Sequence, residues 1–394
     1  MLLGFTVSCY GVDEKITTKK TLLEIERKLK LLNKPSLKSI QSEDGDIIDC
    51  VDIYKQPAFD HPALKNHTIQ MKPTHYPKIE SMFKKNESSI QKISQIWQKN
   101  GSCPEGTIPI RRIRKQDLLR ASSLENYGRK SPYIPGSASN RSSTEAAFLI
   151  TQGYHYIGAF GEVNVWNPYV EAADEYTTAQ IWLVNGPRSA FESVEAGWMV
   201  NPSVYGDKTT RFFAYWTVDA SQKTGCFDLI CTGFVQTSHD TALGAAVEPV
   251  SQEWGDQYQI PVLIFMDPKT SNWWLVCSNI TVGYWPASLF NLLKQSAAIV
   301  QFGGEVYSTT IGKAGVPHTA TAMGSGDEAM SMFGFASFIK HVRIIDYSGT
   351  ERYPEWVHPY MDEPYCYSAY NYVQYIKEPE FYFGGPGRKL PYCP

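Results

Sequence analysis

Beyond Ser143 the chain reads as a succession of short apolar or alternating runs, among them Q-I-W-L-V, R-F-F-A-Y-W-T-V, I-P-V-L-I-F and N-W-W-L-V. Turn signals such as Asn185-Gly186 and Asp267-Pro268 separate them. Runs of this kind are strands, because alternation sends successive side chains to opposite faces of a pleated sheet. Helical pattern is almost absent apart from A-S-L-F-N-L-L-K. So many short strands over roughly 250 residues predict an all-β fold, an antiparallel β-sandwich of jelly-roll type built as one domain.

Two of these strands carry a lone carboxylate. In S-V-E-A-G-W-M-V the face of Glu195 holds Ser193, Gly197 and Met199, opposite Val194, Ala196, Trp198 and Val200. In Q-F-G-G-E-V-Y the face of Glu305 holds Gln301, Gly303 and Tyr307, opposite Phe302, Gly304 and Val306. Each glutamate has a glycine two residues away on its own face, which suggests the floor of a groove. Taken singly, a strand glutamate is usually a solvated outward residue, and a strand glycine often marks a bulge or a close backbone approach.

The part before this sheet has another character. Residues 1 to 135 hold 23 Lys+Arg against 15 Asp+Glu, or +8, and the remainder holds 14 against 25, or −11. A basic front part and an acidic main part can attract each other. Thr21 and Glu24 at capping-box spacing, followed by Leu22, Ile25, Leu29 and Leu32, predict a helix stopped by Asn33-Lys34-Pro35. A proline-bearing irregular stretch from Ser36 to Pro77 and a second short helix over Ser81 to Lys99 are expected next. Gly101 to Arg141 has linker composition, with R-R-I-R-K as a solvated charge run rather than a nucleic-acid patch. Accessible linkers are where proteolysis concentrates.

The N-terminal run M-L-L-G-F-T-V-S-C-Y-G-V resembles the tail of a signal peptide, and no later run reads as a membrane span. Sequons at Asn66, Asn86, Asn100, Asn140 and Asn279 lean toward secretion and glycosylation. Eight cysteines lean the same way. T-G-C-F-D-L-I-C brackets a tight loop that a Cys226 to Cys231 disulfide can close; Cys366 with Cys393 and Cys50 with Cys103 are the next pairings, leaving Cys277 in the main part. The sequence has no zinc spacing, no G-x-S-x-G, no H-E-x-x-H, no P-loop and no D-T-G. Any chemistry therefore falls to carboxylates, unless the protein only binds. The expected organisation is a signal remnant over 1–16, a basic front part and cleavable linker over 17–135, and the sandwich over 136–394.

The run D-C-V-D-I-Y-K-Q-P-A-F-D-H-P-A-L-K-N-H-T-I-Q-M-K-P, Asp49 to Pro73, resembles the activation peptide of the neprosin family of plant glutamic peptidases. C-P-E-G-T-I-P-I-R-R, V-E-A-G-W, T-G-C-F-D-L-I-C-T-G-F-V-Q-T, V-G-Y-W-P-A-S-L-F, G-G-E-V-Y, T-A-M-G-S-G and F-Y-F-G-G-P-G resemble its catalytic domain, in order along nearly the whole chain. The resemblance implies an antiparallel sandwich and a catalytic pair at Glu195 and Glu305, with no metal or other cofactor. It also implies an acidic working pH, cleavage after proline, and the chain's own propeptide as inhibitor. Partners are then a proline-rich peptide or protein substrate, with no nucleic acid and no membrane, for a secreted monomer.

Two close carboxylates share a proton, so one can serve as base and the other as acid. By a looser similarity to fungal glutamic peptidases, Glu305 is expected as the base and Glu195 as the acid and carbonyl-oxygen donor. Gln301 and Tyr307 are candidate supports, and Gln180, Trp182, Trp198 and Tyr215 are candidate walls of a proline pocket. The competing expectation is a secreted carbohydrate-binding protein or glycoside hydrolase, with Trp273, Trp274 and Trp285 exposed to stack on sugars.

Overall fold

The computed structural model describes residues 19–79, 93–130, 143–373 and 378–394. The expected signal remnant, the expected junction at 135 and 136, Asn86 and Asn140 lie outside them. In the front part a helix covers Lys19–Leu32, so Thr21 lies inside it rather than capping it. The Asn33 side chain ends the helix by exchanging two hydrogen bonds with the backbone of Ile113.

The stretch expected to be irregular begins instead with a hairpin of β1, Ser36–Gln41, and β2, Ile47–Asp52. Of the second expected helix the described part is β3, Ser94–Gln95, and a single 3-10 turn over Ile96–Asn100, pinned by buried Trp97. The expected linker is largely built in as well. β4, Thr107–Arg111, joins β2 with Pro109 opposite Cys50, and a short helix follows over Lys115–Arg120. R-R-I-R-K is not a solvated charge run. Arg111 is buried against Asp46 and Asp117, and Arg112 pairs with Asp49. Composition misjudged this segment because each arginine finds its carboxylate on the hairpin, far away in sequence.

In the main part, β5 is a long strand over Thr144–Asn164. β6, Tyr176–Asn185, β7, Glu192–Val200, and β8, Arg211–Thr217, follow as a meander. Short β9, Val235–Gln236, and β10, Val247–Glu248, precede β11, Gln259–Met266, β12, Trp273–Cys277, and β13, Ile280–Trp285. The chain then forms β14, Ala297–Tyr307, β15, Ser337–Asp346, β16, Glu351–Arg352, β17, Val357–Met361, β18, Ser368–Tyr372, and β19, Glu380–Gly384. The A-S-L-F-N-L-L-K segment forms only a 3-10 turn over Ala287–Leu289.

The main path of the sheet runs β8-β7-β6-β14-β5-β11-β12-β13-β9. The first half of β5 lies between β14 and β17, its second half between β11 and β15. This antiparallel sheet therefore curls into two halves that share one strand and one apolar core. Val194, Ala196, Trp198 and Val200 of β7 and Phe302 and Val306 of β14 lie in that core. Trp273, Trp274 and Trp285 lie there too and are 0% exposed, so they offer no stacking platform for a sugar.

The front part is continuous with this core. Ile53, Leu64, Ile79 and Ile108 belong to the same cluster, with Phe59 against it, whereas Tyr54 stays in solvent. Polar contacts add to the hold. Gln56 exchanges two hydrogen bonds with the backbone of Gln236 in β9, and Gln95 does the same with Ala242 in the loop that follows. Asp267 accepts from Gln70 and twice from Thr74. The structure bridges Cys50 to Cys103, Cys226 to Cys231 and Cys366 to Cys393, with Cys277 free. Asn66, Asn100 and Asn279 are exposed, but the Asn100 amide already donates to the Gln41 carbonyl.

The glycine beside each glutamate has a different reason from an open floor. A Cβ on Gly197 would sit 2.0 Å from the Ala179 carbonyl oxygen, and one on Gly303 would sit 2.2 Å from that of Ala147. The strands come too close there for any side chain. Gly197→Ala is expected to lower stability by at least the roughly 1–3 kcal/mol of a typical overpacked site, because the obstacle is backbone. Thermal unfolding checks this, and an unchanged midpoint contradicts it.

Candidate active site

Core-facing alternation on β7 and β14 turns the intervening residues outward. In register, Glu195 lies opposite Trp182, Gln180 opposite both Gly197 and Gly303, Gln301 opposite Trp182, and Glu305 opposite Thr178. The two carboxylates thus stand diagonally across β6, with the glycine row between them. Both turn toward one ammonium. Lys130 Nζ lies 2.7 Å from Glu195 Oε2 and 3.1 Å from Glu305 Oε1.

Glu195 is buried and held on both oxygens. Gln180 Nε2 donates to Oε2 at 2.7 Å, and Ser193 Oγ donates to Oε1 at 2.7 Å. Glu305 is more open, and the Tyr176 hydroxyl donates to its Oε1 at 2.9 Å. Lys130 also stands 5.1 Å above the centre of the Tyr215 ring. Burial alone would lower the Lys130 ammonium, but Glu195 and Glu305 raise it well above a lysine's ordinary value. It therefore stays charged while the carboxylates are ionised.

A cavity of about 450 Å³ opens beside the pair. Phe148, Trp182 and Tyr360 form an aromatic wall, with the Phe148 ring 5.1 Å from Tyr360 and 6.2 Å from Trp182. Gln301, Asp362 and Arg188 also line it. Of the residues expected here, Gln180, Trp182, Tyr215 and Gln301 gather around the glutamates. Tyr307 supports them indirectly, its ring stacked on Tyr176 at 5.3 Å. Trp198 does not belong to the site. It faces the core, where its Nε1 donates to the Asn164 carbonyl, as alternation from Glu195 requires. Sequence reasoning missed Lys130, Tyr176, Phe148 and Tyr360. Nothing in R-K-S-P marks one lysine as a plug, since only the folded path of the front part delivers it.

The loop closed by Cys226 and Cys231 grips that path. Phe227 N–H donates to the Gly128 carbonyl at 2.8 Å, and the Phe227 ring lies 4.9 Å from Tyr215 and 6.0 Å from Tyr176. Next to it, Asp228 accepts from the Tyr205 hydroxyl at 2.7 Å. The Tyr205 ring packs against two guanidinium groups, Arg111 of the front part at 5.4 Å and Arg211 of the main part at 4.9 Å. Asp46 on the hairpin bonds both arginines. Among the described residues, His318 groups with Cys366 and Cys393 as metal-type ligands, but the disulfide consumes both thiolates.

A family model described as Neprosin matches residues 173–386, and one described as Neprosin activation peptide matches residues 39–159. The chain belongs to the neprosin family: a glutamic peptidase preceded by its activation peptide. Solved structures similar to it include scytalido-glutamic peptidase with a peptide-based transition state analogue, at 9% identity and a TM-score of 0.32. That match covers 61% of this chain and 97% of the other. SCP-B, of the eqolisin family of peptidases, in complex with the tripeptide Ala-Ile-His has a TM-score of 0.31 at 9% identity, over the same shares. The chicken liver agglutinin CG-16 has a TM-score of 0.23 at 8% identity, over 41% of this chain and 92% of that one. The family assignment rests on the two sequence matches alone.

Burial raises Asp228 from an ordinary 3.8 to about 7. The folded chain then holds a proton that the unfolded chain releases between those values, so this group lowers stability as pH rises from about 4 to 7. Asparagine mimics the protonated form. In a Glu305→Gln background that blocks self-digestion, Asp228→Asn is expected to raise the unfolding midpoint at pH 7.5 and leave it unchanged at pH 3.5. An equal shift at both pH values contradicts the assignment.

Proposed function

We propose that this chain is the secreted zymogen of an acid-working endopeptidase that cleaves on the C-terminal side of proline, with Glu305 as base and Glu195 as acid. The observation that carries this reading is one lysine of the activation peptide bonded to both glutamates. A plug fits where a substrate must enter. Glu305 faces the cavity, so it can take a proton from a water that attacks the scissile carbonyl carbon. Protonated Glu195 hydrogen-bonds the carbonyl oxygen and then gives its proton to the leaving amine, completing hydrolysis without further reactants. The aromatic wall of Phe148, Trp182 and Tyr360 suits a proline ring, as aromatic grooves do elsewhere. Three disulfides and exposed sequons support an extracellular setting.

Acid acts on the carboxylate side of the plug. Protonation of either carboxylate removes one of the two charges that seat Lys130, so the attraction fades and the groove opens. Pro104 and Pro109 are built into the folded front part: the Pro104 carbonyl accepts from Thr107, and Pro109 lies in β4. Pro132 and Pro135, outside the described residues, are therefore the expected self-cleavage sites. Removing the activation peptide carries Lys130 away.

Full-length protein shifted from pH 7 to pH 3 is expected to lose the mass of the front part, and Glu305→Gln is expected to remain uncut. Trimming of Glu305→Gln as fast as wild type, with no other protease present, contradicts this reading. Glu195→Gln should lose less peptidase activity, since an amide still donates to the carbonyl oxygen, and equal loss in both variants removes the role assignment.

Lys130→Met is expected to move the half-trimming point to higher pH. The same midpoint as wild type rules out the plug as the acid-sensitive element.

A further inference from the structure

Tyr176 begins β6 and lies directly opposite Tyr307 of β14. Its ring is stacked on Tyr307 with planes only 13° apart and meets Phe227 edge-on. The phenol is thereby aimed into the cavity and at Glu305 from a side chain 4% exposed. Tyrosine need not be at this position for packing alone, since phenylalanine would stack equally well. The hydroxyl is the part that the fold does not require.

The groups around Glu305 are Lys130 from the front part, Glu195 from β7, Tyr307 on its own strand, Tyr176 from β6 and Asp362 beyond β17. Arg188 faces Asp362 across the cavity. Departure of Lys130 takes away a cation and leaves the Tyr176 hydroxyl donating to Glu305. Glu195 is surrounded differently. Serine and amide partners can each donate or accept, and Gln180 Oε1 has no hydrogen-bond partner among the described residues. Glu195 can thus carry a proton or lose it without stranding a neighbour, which suits an acid. Burial first, and then Glu305, raise the Tyr176 phenol far above its ordinary value, so it stays a donor throughout the working range. A committed donor favours the ionised form of its acceptor.

We propose that Tyr176 is a positioning residue that holds Glu305 ionised and aimed as the base once Lys130 has left, with Tyr307 and Phe227 fixing the direction of its hydroxyl. This rests on the hydrolytic reading of the glutamate pair. Tyr176 acts through Glu305 rather than on the substrate, so its removal should affect the chemical step and its pH dependence rather than binding.

The test uses full-length Tyr176→Phe, which keeps both ring contacts, activated in trans by tagged wild-type enzyme that is then removed. A fluorogenic proline-containing peptide gives kcat and KM as a function of pH. A hydrogen bond to a charged group of ordinary strength corresponds to a fall in kcat of about 10- to 100-fold, with KM nearly unchanged. The acidic limb of the kcat profile should move up by roughly one pH unit. Ser193→Ala, which removes a donor from Glu195 instead, should leave that acidic limb in place. An unchanged kcat and profile in Tyr176→Phe overturns the proposal, as does a rise in KM with kcat intact, the mark of a merely structural role. Movement of the acidic limb in Ser193→Ala but not in Tyr176→Phe overturns it too, by making Glu195 the base. Failure here with Glu305→Gln inactive sinks this inference alone, whereas an active Glu305→Gln sinks the underlying reading.

Discussion

One buried ammonium shared by two carboxylates organises this zymogen. Two acids placed diagonally across a strand repel each other when ionised, and burial of one of them limits how far water can screen the pair. Lys130 supplies the missing cation from a segment that is foreign to the catalytic sheet. Such a contact is strong only while all three charges are present. Loss of either carboxylate's charge weakens it, because the buried ammonium then has less opposite charge to offset its desolvation.

The rest of the front part serves to deliver that lysine. Its hairpin, its glutamine side chains bonded to backbone of the main part, and its share of the common apolar core fix a path that ends at Gly128 under Phe227. The electrostatic picture is richer than a basic piece on an acidic one. Lys130 follows the expected polarity, but another buried ionic contact reverses it: Asp46 of the front part bridges its own Arg111 and Arg211 of the main part. A net charge of +8 against −11 therefore says little about which contacts are desolvated. Desolvation, not the total, decides which of them is costly to break.

Alternation made the glutamates legible. Because a strand has a period of two, placing Val194, Ala196 and Trp198 in the core forces Glu195 outward, and Phe302 and Val306 do the same for Glu305. The same rule, applied consistently, removes Trp198 from the pocket, and the aromatic content of β12 and β13 proved to be core rather than a sugar platform. Apolar aromatic runs do not reveal whether a second layer covers them. The charged run at Arg111 to Lys115 was misleading for a related reason: whether an arginine is solvated depends on a carboxylate dozens of residues away.

What the sequence determined by itself was the strand-rich class, the facing of the two glutamates, the tight Cys226 and Cys231 loop and, by resemblance, the family. These follow from local spacing or from long ordered motifs, neither of which needs the third dimension. Only the tertiary structure decided that the glutamates meet across β6, that Tyr176 donates to one and Gln180 and Ser193 to the other, and that a lysine from the activation segment stands between them. The reason is physical. The contacts of Lys130 with Glu195 and of Tyr176 with Glu305 span 65 and 129 positions, and those partners are set by strand order and register, which no local pattern encodes.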